Sequence, residues 1–134
     1  MAEMENTCQQ FADILHGKSK FENGVCSITL RRTFNVIIQG KTSVDVADVE
    51  VLFESLDSSG NALNLAEIAV LQEEVPPFVW SVSQQGIIVS ALHNHWIFTQ
   101  PTILYIHLQS VEPPLIFAKK LANSFLYLNS KPVS

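Results

Sequence analysis

Histidines are the residues of this sequence whose type and spacing could do chemistry. If His93 and His95 lie on one β-strand, they point to the same side, about 6–7 Å apart along it. A second extended segment carries His107. A turn centred on Gln100 would pair the two segments so that His107 lies opposite His93, with Tyr105 opposite His95. The three imidazoles and the phenol would then form one patch, whereas a register shift of one residue would send His107 to the other side.

Three imidazoles at one point are a ligand set for a divalent metal. Zinc accepts three nitrogen ligands at ~2.0–2.1 Å and can keep a fourth position for water. Such a metal lowers the pKa of the bound water to about 7, which permits hydrolysis. Glu67 or Glu54 could add a carboxylate ligand or a base. Without a metal, the same cluster could form a hydrogen-bonded network or the floor of a site for a small polar ligand, and all three interpretations stay open.

Two other features have weaker functional interpretations. Arg31 and Arg32 could clamp an anion, because guanidinium groups match the geometry of carboxylates and phosphates. A pair facing solvent at the end of a strand is the alternative. Trp80 is expected to pack on a helix, and Trp96 either walls a pocket beside the histidines or packs in the core.

The elements that must position these residues follow from the hydrophobic pattern. Apolar residues at helical spacing predict a helix over 5–16, a second that begins near Gln72 and ends at Gly86, and a third that Pro113 and Pro114 open. Alternating or β-branched residues predict strands over 25–31, 34–39, 45–57, 62–71, 87–95 and 102–109. Residues 57–61 are rich in turn formers and predict a hairpin.

Side-chain direction on the last two predicted strands assigns their faces. Residues 104, 106 and 108 should turn away from the histidines. Ile87, Val89 and Ala91 should share the histidines' side and cover part of that face.

Helices with a single apolar stripe beside a mainly antiparallel sheet predict an α+β fold. For residues 62–128 we expect a ferredoxin-like split β-α-β arrangement. The length suits one domain over 1–134, in which residues 129–134 form a loose tail.

Composition excludes several classes of partner. The chain has 13 acidic and 8 basic residues and a net charge of −5, so a basic surface for nucleic acid is not expected. No apolar run approaches the ~20 residues of a membrane span. The start is acidic and polar, unlike a signal peptide, so we expect a soluble, cytoplasmic protein without a membrane partner. In that compartment Cys8 and Cys26, which lack CxxC spacing, should be free thiols and not a disulfide.

One segment resembles a known family. Residues 86–95 read G-I-I-V-S-A-L-H-N-H, similar to the G-I-x-V-x-A-L-H-N-H core of the bacterial LppY/LpqO lipoprotein family, a domain of unknown function. Residues 101–107 are similar to its P-R-x-x-Y-x-H segment, and weaker similarity covers most of residues 8–128. The resemblance implies a fold-sized unit and candidate ligand-binding positions. These are His93, Asn94, His95, Tyr105 and His107, together with Arg32 of an Arg-Thr pair.

This chain also departs from the family pattern. Phe34 stands where the family tends to have Asp, and Gln109 where a further His often follows. Those departures imply binding without efficient turnover. We therefore expect a histidine-lined patch that binds a metal such as zinc, or a small polar ligand. The alternatives are a metal-dependent hydrolase that uses the three histidines, and a structural or protein-interaction module that could form a homodimer.

Overall fold

A six-stranded antiparallel sheet is the centre of the protein, and helices cover one of its faces. The computed structural model describes residues 2–134. The helices are α1 (Ala2–Leu15), α2 (Val75–Gln84) and α3 (Pro114–Ser124). The strands are β1 (Ser19–Glu22), β2 (Val25–Arg31), β3 (Val36–Ile38), β4 (Lys41–Ser43), β5 (Asp48–Glu54), β6 (Ala62–Leu71), β7 (Ile88–His93), β8 (Thr99–Gln100) and β9 (Ile103–Glu112).

The order of strands in the large sheet is β1-β2-β5-β6-β9-β7. Strand β9 lies between β6 and β7, which α2 connects, so the C-terminal half contains the split β-α-β unit expected from the sequence. The α+β prediction is confirmed.

The alternation of buried and outward-facing side chains along β5 shows which face of the sheet packs against the helices. Val49, Val51 and Phe53 are buried in the core beneath the helices, whereas Glu50 and its neighbours two residues away lie on the opposite face. The hairpin from β5 to β6 is closed by Asp57, whose Oδ1 accepts hydrogen bonds from the backbone of the turn at 2.9 Å. Because the valines face the helices, the acidic side chains of β5 face away from them.

A second, three-stranded sheet in the order β4-β3-β8 lies on that opposite face. Val36 of β3 packs against Ala69, Ile103 and Tyr105 of the large sheet, forming a smaller apolar cluster. This cluster covers part of the face and leaves the remainder open. Strands β1, β4 and β8 are not among the predicted elements.

The interpretation of Arg31 and Arg32 as a pair facing solvent is wrong for Arg32. Its side chain is buried, with 2% of the residue exposed. The guanidinium donates to both carboxylate oxygens of Glu74, at 2.8 and 2.7 Å, and to the carbonyl of Ala69 at 3.0 Å. The backbone N–H groups of Leu71 and Asn129 also donate to Glu74. Burial opposes ionisation of Glu74, but these hydrogen bonds outweigh it and hold its pKa below the usual value.

The C-terminal residues are not a loose tail. Val133 pairs with Arg31 through two backbone hydrogen bonds, of 2.7 and 2.9 Å, and Asn129 contacts Glu74 as described. The prediction for 129–134 is wrong because a buried carboxylate and a free strand end both bind this segment.

Trp80 also differs from expectation, since it is 55% exposed and lies against the ring of Tyr127.

Cys8 and Cys26 form a disulfide that connects α1 to β2. Both residues are buried in the core, and their Cα atoms are 5.6 Å apart, within the range of disulfides. The prediction of two free thiols is therefore wrong. It rested on the assumed compartment, whereas the packing of α1 on the sheet brings the two sulfurs together.

Within residues 2–134, no helix has the length and apolar character needed to cross a membrane.

Candidate functional site

The register between β7 and β9 decides where the histidines lie. His93 is opposite Tyr105, and Ala91 is opposite His107. The predicted pairing of His93 with His107 is therefore wrong by two residues. A shift of two leaves every side chain on its original face, so His93 and His107 still share the open face of the sheet.

A β-bulge at Ser90 changes the direction of the residues that precede it. Val89 is opposite Leu108, a core residue, whereas Ala91 is opposite His107. The expectation that Ile87 and Val89 share the histidines' side is wrong, because the extra residue reverses the alternation and both side chains pack in the core. Ala91 does lie on the histidines' side, opposite His107. Ile106 and Leu108 do face the core as predicted. The bulge leaves only the small Ala91 beside His107 on the open face.

His95 lies beyond the end of β7, in a loop that returns over the sheet. Its imidazole stacks on the ring of Tyr105, with the ring centroids 3.9 Å apart and the planes inclined by 13°. The Tyr105 hydroxyl donates to the carbonyl of Val46 at 2.6 Å. Burial, with the nearby carboxylates of Glu67 and Asp48, raises the pKa of Tyr105. The phenol therefore stays protonated at neutral pH, and its ring packs against the imidazole of His95.

The three imidazoles form one cluster, in which the rings of His95 and His107 are the farthest apart, 6.4 Å from centroid to centroid. The ring of His93 is 4.8 Å from that of His95 and 4.9 Å from that of His107, centroid to centroid. One nitrogen from each ring lies within 4.8 Å of the other two. A tetrahedral zinc with bonds of ~2.1 Å holds its nitrogens ~3.4 Å apart. A bound zinc would therefore draw the three nitrogens closer together than they lie here; His93 and His95 are exposed, and His107 is half-buried.

Glu67 adds a carboxylate to the three rings. It is directly opposite His107 across β6 and β9, and its Oε1 lies 3.2 Å from His107 Nε2 and 3.8 Å from His95 Nε2. The Nε2 atom of His107 is buried and makes no hydrogen bond to any residue of 2–134. An imidazole nitrogen without a hydrogen bond, beside a carboxylate oxygen, is an arrangement that a metal ion would complete.

Further carboxylates lie on the same face. Glu50 is directly opposite Glu67 on the other side of β6, and Asp45 and Asp48 precede it along the chain. Together with His95 and Trp96 these acids line a pocket of about 180 Å³. Burial, followed by the charges of Asp45, Glu50 and Glu67, raises the pKa of Asp48. The pocket beside the histidines is therefore a region of concentrated negative charge.

A second pocket, of about 170 Å³, lies on the other side of Glu67 and His107. Leu52, Leu65 and Ser90 line it together with these two residues. The histidine cluster thus lies between an acidic pocket and a more apolar one on the open face of the sheet.

The structure does not bring all of the candidate residues together. Glu54 lies on the same face as Glu50 but about 13 Å along the strand, and lines neither pocket. The guanidinium of Arg32 is engaged by Glu74 and also lines neither pocket. Asn94 is an exposed residue of the loop between His93 and His95.

Sequence reasoning missed the acids of the pocket. Asp48 and Glu50 alternate with buried valines on β5, and β5 and β6 are joined by a recognisable hairpin. The signal was therefore present, because the hairpin register places Glu50 beside Glu67 and Glu67 was already a candidate.

Comparison with protein families gives a match over most of the chain. The model of a family described as a Domain of Unknown Function (DUF1259) matches residues 9–126. No curated protein and no solved structure gives a significant match. Since the matched region contains the histidine cluster and nearly the whole fold, this chain belongs to the family of the Domain of Unknown Function (DUF1259).

Proposed function

We propose that His93, His95 and His107 bind a divalent transition metal, with the carboxylate of Glu67 as a further ligand or as the partner of a bound water. The observation that carries the proposal is the buried Nε2 atom of His107. It makes no hydrogen bond within residues 2–134, although Glu67 Oε1 is only 3.2 Å away. Buried polar atoms are nearly always satisfied in native proteins, and a metal between these groups would satisfy them together.

The charge of the surroundings supports a cation. Glu67 pairs with His95 and His107, and no lysine or arginine forms a salt bridge with it among the described residues. Asp45, Asp48 and Glu50 add negative charge on the same face. Imidazole with carboxylate suits zinc, iron, copper and nickel better than calcium or magnesium. Zinc is therefore the metal to test first.

The test is metal binding by protein purified without an affinity tag. Bound metals are measured by elemental analysis, and zinc is then titrated calorimetrically into metal-free protein. We expect one zinc per chain, and at least ~100-fold weaker binding in His93→Ala and His107→Ala, since each removes a direct ligand. His16→Asn is the matched control, because His16 lies at the end of α1 and Asn tolerates its positive φ. Absent binding, or unchanged affinity in both ligand variants, would overturn the proposal.

A metal-dependent hydrolase is the second candidate, and the acidic pocket is the observation that favours it. The pocket lies directly beside His95 and Glu67, where a metal-bound water and a carboxylate base could act on a bound substrate. A screen of ester, phosphoester and amide substrates with zinc, manganese and iron tests this candidate. Zinc-dependent turnover that is lost in Glu67→Gln would support this candidate. If no substrate in the screen is turned over, metal binding remains the proposed function.

We also propose that the chain is of the LppY/LpqO type. The segment Ala91–His95, A-L-H-N-H, supports this assignment because it contains two of the three clustered histidines and lies inside the matched region. A structure of an LppY/LpqO protein tests it. The two histidines of that motif should lie on and just beyond an edge strand, with the second stacked on the tyrosine of the neighbouring strand.

A further inference from the structure

Strand β7 is an uncovered edge of the large sheet. It pairs with β9 on one side and is the last strand in the order. The chain continues into β8, which is the edge strand of the small sheet. Residues 88–100 therefore run from the edge strand of the large sheet to the edge strand of the small one. We call this segment, from Ile88 to Gln100, the β7 edge.

Large apolar side chains are concentrated on the β7 edge. Five of them are exposed, including Ile97 at 69% and Phe98 at 72%. The five are Ile88, Leu92, Trp96, Ile97 and Phe98. Their summed exposed apolar surface is on the order of 500 Å², more than half of what one partner buries in a standard interface. It is divided between the two faces of the sheet along one edge, because Ile88 is opposite Gln109 and Leu92 is opposite the core residue Ile106.

The β7 edge also lacks the charges that usually prevent edge strands from pairing. No Asp, Glu, Lys or Arg occurs from Val75 to Val111. Sheets of monomeric proteins protect their edges with lysines, prolines, inward charges or bulges. Of these devices β7 has only the bulge at Ser90. The three residues that follow the bulge, Ala91 to His93, keep a regular strand register.

We propose that two copies of this chain associate through their β7 edges. Antiparallel pairing of a strand with its own copy is two-fold symmetric, so a single edge supplies both halves of the interface. The net charge of −5 would oppose self-association through most surfaces, but the β7 edge contains no Asp, Glu, Lys or Arg. It also lacks the lysines and arginines with which a protein binds anionic lipid or nucleic acid. A second copy is thus the partner that fits this surface best.

The dimer would also border the candidate metal site. Trp96 is part of the β7 edge and lines the acidic pocket together with His95. Covering Trp96 would deepen that pocket at its mouth.

Sedimentation velocity and light scattering over a wide dilution series test the proposal. The experiments use the full chain with a chelator present, so that metal-bridged association is excluded and the result is independent of the metal proposal. We expect a dimer, and dissociation constants at least ~100-fold higher for Leu92→Lys and for Phe98→Lys, because each would bury a charge at the interface. Val44→Lys is the matched control, since Val44 is exposed but follows β4, outside the β7 edge. Circular dichroism verifies that each variant is folded.

Two outcomes would overturn the proposal. The first is a monomer at every concentration, and the second is a dimer that Leu92→Lys and Phe98→Lys leave as stable as Val44→Lys does. In the first case, binding of the monomer to phosphatidylcholine vesicles through Phe98 would assign the loop to a membrane surface. A dimer selectively weakened by the two edge variants supports the proposal, whatever the zinc titration shows.

Discussion

Glu67 and His107 face each other directly across β6 and β9, with Glu67 Oε1 3.2 Å from His107 Nε2. If this carboxylate helps to hold a metal, Glu67→Gln removes its charge while keeping its shape. We expect zinc affinity to fall ~10–100-fold, the range seen when groups next to metal ligands are changed. Competition with a chelating dye measures the change.

Glu50→Gln is the control for Glu67→Gln. Glu50 lies on the same face, directly opposite Glu67, so its loss changes the general negative charge by the same amount. We expect its zinc affinity to stay within ~3-fold of the wild type, since longer-range charges are screened. Equal losses in both variants would mean that Glu67 acts only through its charge and not through its contact with His107.

Tyr105 is expected to hold His95 in place by its ring and not by its hydroxyl. Tyr105→Phe keeps the stack on His95 and removes the hydrogen bond to the Val46 carbonyl. It should lower the free energy of unfolding by about 1 kcal/mol and leave zinc affinity nearly unchanged. Tyr105→Leu removes the stack, and zinc should bind ~10-fold more weakly because His95 is less ordered. If the leucine variant binds zinc as tightly as the phenylalanine variant, the stack does not position His95.

The ion pair of Arg32 and Glu74 should dominate the sensitivity of the fold to acid. Glu74→Gln leaves the buried guanidinium without a counter-charge, and we expect a loss of about 3 kcal/mol in the free energy of unfolding at pH 7. Urea denaturation measures it. Glu73→Gln, at the exposed neighbouring position, should cost less than about 0.5 kcal/mol.

The pH dependence of that loss follows from the lowered pKa of Glu74. A carboxyl with a folded pKa below its ordinary value of 4.5 binds fewer protons in the native state, so it stabilises the fold above that pH. The contribution is lost as the pH falls through the folded value. The difference between wild type and Glu74→Gln should therefore be constant near neutrality and shrink below about pH 4.5. A difference that stays constant down to pH 2 would contradict the assignment.

The disulfide between Cys8 and Cys26 is directly testable. Thiol titration of the unfolded, unreduced protein should find no free thiol. The double variant Cys8→Ala with Cys26→Ala should lose about 2–4 kcal/mol of unfolding free energy, because the bridge closes a loop with a sequence separation of 18. Two titratable thiols would contradict the disulfide. The cytoplasmic location stays a prediction, and a disulfide that persists in freshly isolated protein would count against it.

Much of the sheet could be predicted because its longer strands carry their own pattern. The bounds of β2 and β6 agree with the predicted 25–31 and 62–71. In β5 the buried valines alternate with acids of the opposite face, and the turn at 57–61 joins it to β6. These signals lie within a few residues of one another, so no knowledge of distant contacts is required. Strands β1, β4 and β8 have two to four residues, too few for a period to show.

The candidate site was predictable only in part. His93 and His107 share a face as predicted, because an even-numbered error in register does not change the side on which a residue lies. The bulge at Ser90 and the return of His95 over Tyr105 carry no local signal, since both depend on how β7 packs against β9 and β8.

The sequence by itself determined the α+β class, the longer strands and the placement of His93 and His107 on one face, because side-chain alternation is a local property of an extended chain. Only the tertiary structure decided that Glu67 joins those imidazoles, that Arg32 is buried against Glu74 and that Cys8 meets Cys26. Each of these contacts joins elements that the order of strands and the packing of helices bring together. The physical reason is that such proximity depends on the burial of a shared core, which no short segment of sequence specifies alone.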